Sequence, residues 1–168
     1  MAETFYFSNK SRNENVKYLF VFLLAVITWI FQLSIFSRIL YFDSASNLML
    51  LGSIFCGLIF GPLAGTVFGL ISSFFCSSLL YDHLFYFSYP LMGFISGLLI
   101  KNIFSDELVF FILLAFILTF PFEFFNGMQY NNKHLINIFD RYLPVSFYSS
   151  ILNILIAPFF FLFINFFT

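Results

Sequence analysis

No charged residue interrupts the apolar stretch over residues 48–80, and that run limits the fold more than any other feature. A helix needs roughly 20 mostly apolar residues to cross about 30 Å of hydrocarbon. This stretch is long enough for two crossings joined by a tight turn, and Gly61-Pro62 is the turn signal inside it. A soluble domain would have to wrap such a run in polar surface. The chain has little to offer: 9% of its residues are charged, against 61% hydrophobic and 24% aromatic. Those proportions also exclude a disordered tail, a collagen-like fibre and a disulfide scaffold. Lys and Arg total 7 and Asp and Glu total 8, so there is no positive field for nucleic acid. The apolar runs are continuous, without the period-two alternation of a membrane β-barrel. The expected class is an all-α integral membrane protein, a compact bundle of about six transmembrane helices.

The first expected helix covers residues 18–36; its apolar run is too long for a cleaved signal peptide and no small-x-small site follows it. The second covers 47–60 and the third 62–80, divided at Gly61-Pro62. The second is short, and is expected to be tilted, partly re-entrant or shielded by neighbours. The fourth covers 87–103. After a polar turn in which Ser105 is placed as a cap, the fifth covers 108–125. The longest polar loop is 126–142. The sixth helix starts at Pro144, which suits a first turn, and Pro158 is expected to kink it. The chain thus divides into a tail, residues 1–17, and one six-helix domain, residues 18–168. Lys10, Arg12 and Lys17 precede the first helix, and Lys101 falls on their side. Arg38, Lys133 and Arg141 fall opposite. This asymmetry favours cytoplasmic N- and C-termini.

Small side chains recur every four residues at Ser53, Gly57, Gly61, Gly65, Gly69, Ser73 and Ser77, and again at Gly93 and Gly97 beside Ser96. That spacing lines one helix face and lets backbones approach closely inside lipid. The face is expected to pack helices of this protein together, with a groove for a partner's helix as the sharper alternative. Helices two, three and four would form the centre, with the Phe-rich helices outside. Much of the Phe, including residues 159–161, is expected to face lipid.

The expected spans are nearly empty of ionisable groups, which is where membrane catalysis would show. Glu123 is the best exception, two residues after Pro121. It is expected at the interface or capping a polar contact. Asp82 and His83 are adjacent and do not share a helix face. His134 is the other His, and no HExxH, CxxC or phosphate-loop pattern occurs. No metal, cofactor or catalytic residue is expected. Cys56 and Cys76 would lie about 15 Å apart in depth on a regular hairpin, too far for a disulfide. Arg38 is expected to snorkel from the first helix, with Asp43 at the far flank of the first loop.

Three stretches together resemble the rod shape-determining MreD family of bacteria. They are Ser46-Asn47-Leu48; the segment from Gly61 to Gly97 with its Gly65-xxx-Gly69 and Gly93-xxx-Gly97 faces; and Tyr142-Leu143-Pro144 with Tyr148, Ser149, Ser150, Asn153 and Pro158. The last is the most specific. The chain departs from the family at two places: Ser46 stands where a Pro is frequent, and Ser73 where an Asp is common. The resemblance implies a non-enzymatic membrane scaffold of the elongation machinery that builds the lateral peptidoglycan wall and maintains cell shape. It implies binding to the bitopic protein MreC. Through that complex it implies links to MreB, the RodA glycosyltransferase and a class B penicillin-binding protein, all at the bacterial cytoplasmic (inner) membrane. The layout is also similar to the substrate-binding (S) subunits of energy-coupling-factor vitamin transporters. A vitamin pocket would draw on Trp29, Gln32, Glu123, Asn126 and Asn153, which are sparse and scattered along the sequence.

Overall fold

The computed structural model describes residues 14–36, 44–80, 85–99, 107–131 and 138–167, with side chains for 16–35, 44–77, 87–99, 108–127 and 142–162. Lys10, Arg12, Arg38, Asp43, Asp82, His83, Lys101, Ser105, Lys133 and His134 lie outside the described residues. Six α-helices appear among those described: α1 (Glu14–Phe31), continued by a π-turn over Gln32–Phe36, α2 (Leu48–Phe60), α3 (Pro62–Leu80), α4 (Phe85–Leu99), α5 (Glu107–Asn131) and α6 (Ile138–Phe167). Three segments are long and apolar enough to cross a membrane: Val16–Ile35, Leu108–Gly127 and Tyr142–Leu162. The helical stretches Leu48–Phe60, Pro62–Ser77 and Phe87–Leu99 are apolar but shorter. Among the described residues the fold is therefore helical without a strand, with three helices of membrane-crossing length.

Several expected boundaries shift. The fifth helix does not stop at residue 125 but runs to Asn131, and the sixth begins at Ile138, six residues before Pro144. Pro144 is thus interior to α6, as Pro121 is to α5 and Pro90 to α4. An interior Pro removes one backbone donor and leaves one carbonyl unpaired. At Pro144 that loss falls in the second turn, near a helix end, where solvent can satisfy the freed carbonyl.

α2 occupies the centre and touches all five other helices. Its residues from Leu48 through Gly57 are all buried. A helix apolar on every side has no wet face to offer, so it is enclosed. Its 13 residues reach about 20 Å at 1.5 Å per residue, short of the hydrocarbon thickness. Around it, α3 and α4 run antiparallel, with Gly65 against Gly93 and Gly69 against Pro90. On the other side α5 and α6 pair, with Phe116 against Phe147 and Thr119 against Asn153. Phe55 of α2 meets Phe111, Phe160 and Phe161 edge-on at centroid distances of 5.9, 6.2 and 5.7 Å. The 159–161 run is therefore split. Phe159 is 74% exposed, whereas Phe160 and Phe161 are core, because one helical step of 100° turns the side chain from one face to another.

α1 lies against α2 and α3 along Val21, Leu24, Ala25 and Thr28. At one end Lys17 donates to the Phe60 carbonyl at 2.6 Å and so caps the C-terminus of α2. A cation there also opposes the negative end of the helix dipole. Lys17→Met is expected to lower the thermal unfolding midpoint in detergent by only about 1–3 °C, the size of one such cap in a chain this long. An unchanged midpoint would show that the contact contributes nothing.

A buried polar clasp as the candidate functional site

The glycine face comes first, because it fixes the frame. A Cβ on Gly57 would strike Ser96 Oγ and the Gly93 carbonyl. One on Gly65 would strike the Gly93 carbonyl, and one on Gly93 would strike the Gly65 carbonyl. One on Gly97 would sit against Pro62, and one on Gly69 would lie 2.5 Å from Pro90 N. The backbones of α2, α3 and α4 themselves occupy this face. Ser53 adds to the contact by donating to Tyr89 O at 2.9 Å, and Ser96 by donating to Ile54 O at 3.2 Å. Gly61 differs: nothing lies within 4 Å of its Cβ position, but its φ of +93° is one L side chains rarely adopt. Ser73 is buried and donates to Gly69 O at 2.8 Å within its own helix.

The second feature lies at the opposite end from Lys17, where α2 begins. A buried helix start must have its backbone donors satisfied by something other than water. Here side chains of other helices do it. The Leu48 N–H donates to Gln32 Oε1 of the π-turn at 2.7 Å, and Gln32 Nε2 returns a bond to Ser46 O at 2.9 Å. The Asn47 N–H donates to Asn153 Oδ1 of α6 at 2.8 Å. Asn47 is itself the cap, its Oδ1 accepting from the Leu50 N–H at 3.1 Å.

The Asn47 side chain then reaches further. Its Nδ2 lies 3.1 Å from Glu123 Oε1 of α5 and 3.1 Å from the Tyr89 hydroxyl of α4. The same hydroxyl donates back to Asn47 Oδ1 at 3.3 Å and accepts from Cys76 Sγ at 3.7 Å. Asn153 closes the set. Its Oδ1 also accepts from Ser46 Oγ at 2.7 Å, and its Nδ2 donates to Thr119 Oγ1 at 2.9 Å. Ser149 donates to Ala45 O at 3.1 Å, and Ser44 donates to Val145 O at 2.9 Å. The short non-helical segment 44–47 is thereby tied to the π-turn after α1 and to α4, α5 and α6 at once. This explains how irregular backbone is held next to a buried helix start.

Asn47, Ser149 and Asn153 are brought together by this clasp. Ser150 is buried one turn above Ser146 and donates to its carbonyl at 2.7 Å, so it serves α6 alone. Pro144 and Pro158 lie inside α6. The polar residues expected to be scattered are not: Gln32, Glu123 and Asn153 all join through Asn47 or its neighbours. Asn126 stands beside them, its Oδ1 accepting from Ser88 Oγ at 3.5 Å. Trp29 instead stacks on Phe75, centroids 4.7 Å apart. Tyr89 and Thr119 are the members that sequence reasoning missed. A lone polar residue in an apolar span was the available signal. Both cysteines are free, and Cys56 is buried. Among the described residues no group of three or more His, Cys, Asp or Glu could hold a metal ion.

Among the described residues these features define a bundle of six helices with a glycine-packed centre and a polar clasp. No protein-family model, curated protein or solved structure matches the chain.

Proposed function

We propose that the protein is a non-enzymatic scaffold of the bacterial cell-wall elongation machinery, of the MreD kind. It would sit in the cytoplasmic membrane with six crossings and both termini inside. The observation that carries the proposal is the clasp. Asn47 and Asn153, more than a hundred positions apart in sequence and both in stretches that bear the resemblance, share a 2.8 Å hydrogen bond from the Asn47 N–H to Asn153 Oδ1. Ser149, from the last of these stretches, adds a bond to Ala45 O at 3.1 Å. These polar groups spend their hydrogen bonds on one another. That is the behaviour of a device that fixes helix positions, rather than of a pocket with free groups converging on a substrate.

The glycine face is used between α2, α3 and α4, so a partner helix would dock elsewhere. The partner proposed is MreC, and through it RodA, a class B penicillin-binding protein and MreB. Mild-detergent purification of the tagged protein from its native membranes, followed by mass spectrometry, tests this. MreC and wall-elongation proteins are the expected companions. An ATPase pair with a transmembrane coupling subunit would replace the scaffold with a vitamin-transporter subunit.

A further inference from the structure

The contacts of α5 with α6 run in opposite order along the two helices. Gly127 sits against Tyr142, Thr119 Oγ1 accepts from Asn153 Nδ2 at 2.9 Å, and Phe111 stacks on Phe160 with centroids 6.4 Å apart. Both helices carry an interior Pro near the Thr119–Asn153 bond, Pro121 in α5 and Pro158 in α6. A proline has no N–H, so Pro121 takes the helical partner from the Ile117 carbonyl and Pro158 takes it from the Ile154 carbonyl. Ile117 lies between Thr119 and Phe111, and Ile154 lies between Asn153 and Phe160. Counted from the bonded pair toward the aromatic rings, the two gaps come two residues and one residue along. At 1.5 Å per residue they fall within one helical turn of a single level. A proline gap in the backbone ladder is where a helix bends sharply.

The two sides of that level are held differently. On the clasp side, Glu123 accepts from Asn47 Nδ2, Asn153 accepts from Ser46 Oγ and the Asn47 N–H, and Ser149 donates to Ala45 O. On the other side, residues 108–117 and 154–162 contain no side chain with a hydrogen-bonding group. They meet α2 through Phe55, which has Phe111, Phe160 and Phe161 edge-on around it. These halves of α5 and α6 are joined to each other, because Phe111 also packs on both Phe160 and Phe161. α2 cannot follow them, since its backbone is locked against α3 and α4 at Gly57, Gly65 and Gly93. Inside lipid, parting two apolar faces forfeits packing but no hydrophobic energy, because acyl chains are as apolar as the side chains they replace.

We propose that Pro121 and Pro158 act as one hinge, about which residues 108–117 of α5 and 154–162 of α6 swing together away from α2. The clasp halves of both helices stay fixed. The swing uncovers Phe55 to the acyl chains and makes the apolar pair a lateral gate over the central helix. The arm from Ile154 to Leu162 is about 12 Å long, so a change of roughly 20° at the hinge moves its tip by about 4 Å. The inference does not depend on the scaffold proposal.

The test is double electron–electron resonance on the full chain in nanodiscs of phosphatidylethanolamine with phosphatidylglycerol. Spin labels are carried on p-acetylphenylalanine, which leaves Cys56 and Cys76 in place. One pair replaces Leu98 and Leu162, exposed residues of α4 and α6 on the gate side. The other replaces Phe74 and Phe125, exposed residues of α3 and α5 on the clasp side. The gate pair is expected to give a distance distribution wider than the clasp pair by about 4 Å, the swing of the arm. Pro121→Ala with Pro158→Ala restores both backbone bonds, and is expected to narrow the gate pair to the width of the clasp pair. Equal widths for the two pairs in the chain with both prolines would overturn the proposal without any proline variant having to fold. A gate pair that stays as wide after both prolines are replaced would also overturn it, and would place the motion elsewhere than at the hinge.

Discussion

Gly65→Ala is expected to remove folded protein altogether, although it adds only one methyl group. The new Cβ would meet the Gly93 carbonyl oxygen, Gly57 Cα at 2.7 Å and the Gly93 carbonyl carbon at 2.8 Å. All three are backbone atoms, so no side chain can turn aside. Overpacking a core that can adjust costs about 1–3 kcal/mol. Here α2, α3 and α4 would have to move apart together, and the Ser53 and Ser96 hydrogen bonds would go with them. Size-exclusion chromatography in mild detergent should show aggregate or no accumulation. Gly61→Ala is the control. It has open space but a backbone region nearly reserved for glycine, at φ 93° and ψ 171°, so about 1–3 kcal/mol should be lost while the bundle survives. A monodisperse Gly65→Ala with a wild-type thermal midpoint would show that the helices are not packed this closely.

Asn153→Leu is expected to be the most damaging change outside the glycine face. Leu nearly matches Asn in bulk and suits a membrane interior, so hydrophobicity alone would predict a gain. What it removes is the shared acceptor of the Ser46 hydroxyl and the Asn47 N–H, and the donor to Thr119. Leaving a buried donor unpaired costs about 1–3 kcal/mol, whereas hydrogen bonds between membrane helices average nearer 0.6 kcal/mol. A backbone N–H at a buried helix start belongs with the first case, so a net loss of about 2–3 kcal/mol is expected. Hydrogen exchange should accelerate at residues 47–51, where α2 begins. Asn153→Asp keeps the acceptor and loses only the Thr119 bond, so its effect should be smaller. If Leu and Asp behave alike, the acceptor is not what matters.

The helix count and the Gly61-Pro62 break were legible in the sequence because they depend on local matters: apolar length, and a residue pair that cannot continue a helix. The second helix was legible as short, and its shielding follows from having no polar face. Helix ends were less legible. Asn126 to Asn131 and Ile138 to Leu143 look like loop by composition, yet they extend α5 and α6. The glycine repeat showed which residues could approach closely, but its stride of four is the same whether the facing backbone belongs to this chain or another. The clasp was the least legible part. Asn47 and Asn153 could be singled out by resemblance, but Gln32, Tyr89, Thr119 and Glu123 each stand alone in an apolar segment. Only the pairing of α5 with α6, and the seating of the start of α2 against them and α4, makes one cluster of them.

The anchoring of the start of α2 by α6 has a consequence for the order of events during synthesis. A ribosome releases the second helix long before the last one exists. Until Asn153 and Ser149 emerge, the Asn47 amide and the Ala45 carbonyl lack the partners they have in the finished bundle. The centre of the protein is therefore completed last. An insertion pathway that hands helices to lipid one at a time would need to shelter this short, enclosed helix until the C-terminal one arrives to close over it.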